Sequence, residues 1–369
     1  MTSTGAGSEE LTMLRSSLRT LLEREGGVGR ARALRTTSPG WDGTVMQKMA
    51  EAGVISAMVP EDAGGLGLGL VAAGVISEEI GRALAPEPIT ASAGLAAGLL
   101  WRLAPGHALF ADLVVGTQVA AVAWQERGQR GVAHSTGTRF ERGALTGAKA
   151  WVVAAAGDAL LVIAQSDGGP VLALAAHDAA GLTREARPQA DGSIQHDVRF
   201  SATPAETLAE GQVVTDALAS AVADTVALAA AELTGISGRA LEMTLDFLRT
   251  REQFGKPIGA FQAIQHRAVN MVMAQQLAEA SVRDVLAKMA DAAPDERLRL
   301  ASRAKSRACT TAKMITRESI QMHGAIGYTD EIDIGLYLNR ALVVTAWLGD
   351  ATYHRRRWFD GAARNKGAL

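Results

Sequence analysis

The sequence predicts a mostly helical α+β protein, with helical layers around a small antiparallel β-barrel. Three observations predict it. Up to about residue 118, apolar side chains recur three and four positions apart, the spacing that gives a helix one buried face. Near Val119 the texture changes to short runs of β-formers and small apolar residues, divided by turns such as Ser166-Asp-Gly-Gly-Pro170. From about Val213 helical periodicity returns and lasts to the end. Helices and strands in separate blocks argue against alternating β-α-β units. The expected division is a helical domain over 1–118, a β-domain over 119–208 and a helical domain over 209–369.

In the first block Leu11, Leu14, Leu18, Leu21 and Leu22 mark an amphipathic helix. A second is expected over residues 41–52, ending at Gly53. The stretch 59–69 is a glycine-rich loop. No strand precedes it and its spacing does not fit a dinucleotide fingerprint, so its glycines read as structural. Helices over 70–84 and 89–103 complete the block. Strands are expected over 119–124, 144–153, 159–164, 171–176 and 194–200. In the last block Val226, Leu228, Leu233, Ile236, Leu241, Leu245 and Leu248 mark one long helix. Ile264, Ala268, Met271, Ala278, Val282 and Leu286 mark the next. The apolar faces around 264–289 and 301–320 offer more burial than one helix pair can use, so an oligomer centred on these helices is expected.

Bulk properties narrow the function. A net charge of -2 offers no electrostatic reason to bind nucleic acid or an anionic membrane. Cys309 is the only cysteine, which excludes an internal disulfide and a Cys-rich metal site and suits a reducing compartment such as a cytoplasm. The seven histidines show no ligand spacing with Asp or Glu, so no metal site is expected. No apolar run reads as a clean membrane span. The first residues show no basic region followed by an apolar core, so no secretory signal is expected.

The junction 249–266, Arg-Thr-Arg-Glu-Gln-Phe-Gly-Lys-Pro-Ile-Gly-Ala-Phe-Gln-Ala-Ile-Gln-His, organises the chain. Gly255, Pro257 and Gly259 interrupt the helical pattern and leave Arg249, Arg251, Lys256 and Gln262 between two helix ends. Such a junction suits a phosphate. Arg251 can offer a forked pair of charge-assisted hydrogen bonds to a diphosphate. Gln262 stands near a helix start, where backbone N–H groups and the dipole favour an anion. Phe254 can lie against a flat ring. The alternative is a surface helix hairpin with solvated arginines.

The segment from Arg251 to His266 resembles a signature of the acyl-CoA dehydrogenase family. So does a second segment, Gln321-Met-His-Gly-Ala-Ile-Gly-Tyr-Thr-Asp-Glu331, in the matching order and at the matching spacing. The resemblance extends more loosely over nearly the whole chain. It implies an N-terminal helical domain, a central β-domain and a C-terminal four-helix bundle, with FAD as cofactor and an acyl-CoA as substrate. It further implies an oligomer, commonly a tetramer, and an electron-transfer flavoprotein as acceptor. In the family the flavin ring sits between the β-domain and the C-terminal helices, and one subunit's Arg and Gln segments reach FAD bound mainly by its neighbour. Arg251, Phe254, Gln262, Gln321 and Gly324 match those positions, and Trp151 matches the residue that stacks on the flavin. The alternative for Trp151 is an ordinary core tryptophan. Three departures stand out. Val153 replaces a flavin-side hydroxyl, Gln125 replaces a threonine, and Ala325 replaces a second glycine. His323, in the same turn, reads as structural.

The general base is absent from both positions at which the family carries it, so the catalytic residue is unknown. A Glu in a Tyr-Glu-Gly-Thr motif aligns with Leu348, and the other family position aligns with Thr225. Neither side chain can take the α-proton. Asp224, Glu232 and Asp350 are nearby carboxylates that offer weak substitutes. Arg340 and the run Arg355, Arg356 and Arg357 read as surface or interface charges. Three readings follow. The chain is the base-lacking subunit of a hetero-oligomeric acyl-CoA dehydrogenase, as the resemblance to some bacterial members implies. Alternatively it is a homomeric dehydrogenase with a displaced base, or a non-catalytic relative that acts as an interaction partner.

Overall fold

A computed structural model describes residues 7–128 and 137–366. The chain opens with α1 (Ser8–Arg24), α2 (Gly27–Leu34), α3 (Gly43–Glu51) and α4 (Gly69–Ala83). Helix α3 starts later than the apolar pattern suggests because Asp42 caps it, accepting from the Thr44 N–H at 2.8 Å. The helix expected over 89–103 is present but broken in type. It runs as α5 (Ile89–Ala91), a π-helical turn (Ser92–Ala97) and α6 (Gly98–Leu103), followed by α7 (Ala108–Val115).

The strands are β1 (Ala120–Ala123), β2 (Arg139–Glu141), β3 (Ala144–Val153), β4 (Ala159–Ser166), β5 (Gly169–Ala176), β6 (Leu182–Pro188), β7 (Ile194–Pro204) and β8 (Glu206–Glu210). They form one sheet in the order β6-β7-β3-β2-β4-β5-β8, with β1 on β4. Two expectations are corrected. The sheet is mixed, because β1 and β2 both pair β4 in parallel. No closing pair joins its ends among the described residues, so a closed barrel is not found there. Strands β2, β6 and β8 escape an apolar reading because they are short, charged and largely exposed. Of these, β6 and β8 form the two edges of the sheet, where charge discourages further pairing.

The last block holds α8 (Gln212–Thr250), a hairpin of β9 (Glu252–Gln253) and β10 (Lys256–Pro257), α9 (Gln262–Met289), α10 (Pro294–His323), α11 (Ile334–Ala346) and α12 (Ala351–Lys366). Helix α8 is the axis of the molecule. Every residue from Ala221 to Gly238 is buried, which requires neighbours on all sides of the helix. Those neighbours include α4, the π-helical turn, α6, α9, α10 and α11. Helix α4 meets α8 backbone to backbone, since a Cβ on Gly235 would collide with the Glu78 carbonyl. Contrary to the sequence reading, α8 is apolar and long enough to cross a bilayer, yet 72% of that window is buried inside the protein.

Candidate functional site

The junction after α8 is a tight hairpin. Phe254 (φ 54°) and Gly255 (φ 76°) both lie in the left-handed region, as a two-residue turn of this hand demands. The Ile258 N–H closes it on the Arg251 carbonyl at 2.8 Å. The turn pushes Phe254 into solvent, 92% exposed, edge-on to Phe261 with ring centres 6.1 Å apart. Lys256 Nζ sits 4.4 Å from the Phe261 ring centre. Arg251 and Gln262 are exposed.

At the end of α10, Gln321 is exposed and Gly324 takes φ 68°, ψ -142°, a conformation open to glycine. His323 is buried and stacks on Phe247 of α8 at 4.3 Å. Its Nδ1 meets the Ser319 carbonyl at 2.7 Å, and burial pushes its pKa down. This stack ties the two helix ends, so both sequence signatures sit at one end of the bundle. His323 is structural, as the sequence suggests.

Trp151 lies elsewhere. It occupies an irregularity in β3, where the register on β7 shifts between Lys149 and Val152, and it has φ 56°. The bulge turns the indole outward. It is 38% exposed, so it is not a core tryptophan, and the Arg127 guanidinium approaches it at 5.9 Å. The hollow beside it is lined by Ala91, Leu95, Gln125, Trp151, Val153 and Trp347, among others. Its water-accessible volume is about 10 Å³, room for roughly one water molecule. The Val153 side chain offers a ring placed there no hydrogen bond.

The hollow also lies far from the hairpin. One wall is the π-helical turn, whose Gly94 packs directly on Thr225 of α8. Arg251 follows Thr225 by 26 residues along the same helix and its cap, a rise of about 39 Å. One extended dinucleotide does not span that distance. The structure therefore brings Arg251, Phe254, Gln262, Gln321 and Gly324 to one end, and Trp151 to another.

The candidate bases have other partners. Asp224 is buried between Arg102 at 2.9 Å and Arg297 at 2.5 Å. Glu232 is fully buried, accepts from the Thr90 hydroxyl at 2.7 Å and pairs with Arg340, which also holds Asp191 at 2.9 Å. Arg340 is thus a buried-network residue rather than a surface charge. Asp350 caps α12 through the Tyr353 N–H at 2.8 Å. Thr225 is buried and donates to the Ala221 carbonyl at 2.6 Å. Leu348 sits in a turn with φ 62° and packs on the core.

One buried carboxylate was missed by the sequence reading. Glu87 lines a second cavity, of about 60 Å³, that shares Ala91, Val153 and Trp347 with the first. Burial raises its pKa, while Arg30 grips both oxygens at 2.7 and 2.8 Å. The signal available in sequence was a Glu fixed between Pro86 and Pro88, rigid on both sides.

With this geometry described, comparison with known proteins is informative. The model of the acyl-CoA dehydrogenase N-terminal domain matches residues 8–105, and that of the C-terminal domain matches 215–361. The chain is 30% identical to acyl-CoA dehydrogenase IpdE2 of Mycobacterium tuberculosis, covering 90% of this chain and 91% of that protein. Among solved structures it resembles a Tcur3481-Tcur3483 steroid ACAD variant, with TM-score 0.86, 29% identity, and 97% and 99% of the two chains covered. The ChsE4-ChsE5 complex of Mycobacterium tuberculosis shares the fold at TM-score 0.84 and 23% identity over 98% and 99%. So does a glutaryl-CoA dehydrogenase of Mycobacterium smegmatis in complex with FADH2, at TM-score 0.85 and 18% identity over 97% and 95%.

Proposed function

Because this chain belongs to the acyl-CoA dehydrogenase family, FAD-dependent oxidoreductases acting on CH–CH groups, we propose that it is the base-lacking subunit of a hetero-oligomeric member. In this reading it lends Arg251 and Gln321 to FAD held mainly by a partner chain, and the partner supplies the carboxylate base. The observation that carries the reading is an asymmetry between the two ends of the molecule. The hollow beside Trp151 and Val153 has room for about one water, while Arg251, Gln262 and Gln321 stand exposed where α8 and α10 end. The two-chain complexes among the structural relatives support a shared assembly.

FAD, when bound, accepts the hydride from the β-carbon of an acyl-CoA as the α-proton leaves. This chain's part is to bind and orient. Arg251 suits the diphosphate, Gln262 and Gln321 offer amides, Gly324 lets the backbone come close, and Phe254 presents a ring face. None of the three candidate carboxylates is free to act as base: Asp224 and Glu232 are locked by arginines, and Asp350 caps a helix. An electron-transfer flavoprotein is the acceptor this reading expects.

The test is turnover with a panel of acyl-CoAs and an artificial acceptor. The pure chain supplied with FAD is expected to be nearly inactive, because loss of a general base costs ~10²–10⁴ in rate. Activity should emerge when a second family member is co-expressed, and vanish when that partner's base Glu is replaced by Gln. Robust turnover by the pure chain would refute the proposal and favour a displaced base.

A further inference from the structure

Helices α9 and α10 present one continuous outer face. On α10, Arg303, Arg307, Thr310, Met314, Arg317 and Gln321 fall within one arc at 100° per residue. Arg303 and Gln321 are five turns apart, about 27 Å along the same stripe. On α9 the matching stripe starts at Gln262 and runs through Val269, Met273 and Leu277, which are 55%, 51% and 57% exposed. The Arg267–Glu318 ion pair clamps the two helices near the Gln262–Gln321 end. At the other end lies a groove of about 490 Å³ between α9, α10 and α12, lined by Leu277, Arg303, Arg307, Arg355 and Trp358.

The charges on this face are one-sided. Arg303 is neutralised by Asp284, and Arg299 by Glu296, while both guanidinium groups approach the Trp358 ring. Arg307, Lys313, Arg317 and Arg355 are exposed and pair with no carboxylate among the described residues. The carboxylates on the face are already engaged: Glu318 by Arg267, Asp284 by Arg303 and Lys288, and Glu279 by the Gln275 amide. An identical copy in a two-fold contact would set an apolar face with an excess of positive charge against its equal. Like charges facing across a contact are a strong reason for two chains not to pair.

We propose that this face docks a second, unlike chain whose opposing helices carry unpaired carboxylates. The inference rests on the shared-site reading and names the chemistry of the partner. The apolar stripe supplies burial. The free arginines select against self-pairing, and the face is continuous with Gln262 and Gln321, which must meet the partner's FAD.

A surrogate partner tests it directly. The triple variant Arg307→Glu, Arg317→Glu, Arg355→Glu turns a copy of this chain into an acidic face. Mixed with wild type at 0.15 M salt, it should associate at least tenfold more tightly than either chain with itself, read by sedimentation velocity. The mixed complex should weaken in 1 M salt, while wild-type self-association should strengthen there as repulsion is screened. The neutral variant Arg307→Gln, Arg317→Gln, Arg355→Gln should self-associate more than wild type at low salt. Circular dichroism melts matching wild type would show all three chains folded. A wild-type oligomer that is stable at 0.15 M salt and indifferent to both triple variants would overturn the proposal, as would failure of the mixture to associate. Failure of the shared-site reading looks different: complexes would form, but Arg251→Ala would leave their flavin content unchanged.

Discussion

Arg251 caps α8 and Asp224 lies within its buried stretch, and the two residues contrast in exposure. Arg251 is exposed, and in the proposed assembly it serves a phosphate held by the partner chain. Its replacement by Ala removes a bidentate contact worth on the order of 1.5–3 kcal/mol. FAD should therefore dissociate at least tenfold more readily from the assembled oligomer, as measured by flavin absorbance after gel filtration, with melting temperature unchanged. Asp224 is 2% exposed between two guanidinium groups, so its charge belongs to the fold. Asp224→Asn should leave Arg102 and Arg297 undercompensated and cost about 3–5 kcal/mol of stability, read as a lower denaturant midpoint. A variant that melts like wild type but loses turnover would return Asp224 to the role of base. The spacing of the motifs made the first residue legible. The second was ambiguous, because the arginines that hold Asp224 lie 122 and 73 residues away and no local pattern records them.

The turn between α11 and α12, where the resemblance places the family's base, carries the apolar Leu348 and is held by buried polar groups. Lys305, fully buried on α10, donates to the Val344 and Trp347 carbonyls at 2.6 and 3.1 Å. Ser306 donates to the Ala351 carbonyl at 3.1 Å. His354 meets the Leu348 carbonyl through Nε2 at 3.1 Å and the Ser302 hydroxyl through Nδ1 at 3.0 Å. That assigns a neutral ring with the proton on Nε2. Burial, helped by Lys305 and Arg357 and opposed by Asp350, pushes the His354 pKa down to about 3. Between the unfolded value near 6.5 and this folded value, only the unfolded chain binds the proton. The contribution of His354 is thus complete above about pH 6.5 and is lost as pH falls toward 3, at up to about 1.4 kcal/mol per unit. Urea unfolding at pH 6.5, 5.5 and 4.5 should show wild type losing stability more steeply than His354→Gln, and parallel slopes would refute the buried neutral ring. Elements of this kind divide by legibility. The long helices were readable from apolar period. The π-helical turn at Ser92–Ala97 was not, because its apolar residues read equally well as α-helix, and β6 and β8 were hidden because exposed charged strands carry no period-two signal.

At the scale of the molecule, the order of helical block, sheet and helical block was readable from texture, but the packing of the blocks was not. Arg32 pairs with Asp333 across some three hundred residues, and Tyr337 of α11 donates to the Arg82 carbonyl of α4. Such contacts fix where the hairpin stands relative to the hollow beside Trp151, and the proposed sharing of the site depends on that placement. A pair of equivalent chains would build two composite FAD sites, each using one chain's sheet and the other's hairpin. In the proposed assembly one of the two is the weaker, because its hollow between Trp151, Val153 and Trp347 is narrow and Val153 carries no hydroxyl. A pair made of this chain and an intact partner should therefore hold one FAD, not two. Native mass spectrometry of the co-expressed complex, with flavin absorbance against protein concentration, should give half a flavin per chain. Enlarging the hollow through Trp347→Ala and Val153→Thr in this chain should leave that ratio at or above one half, whereas Arg251→Ala should lower it, because only the latter acts on the site that is filled. A ratio of one flavin per chain in the wild-type complex would mean that the hollow opens to receive a ring, and the asymmetry between the subunits would then lie in the base alone.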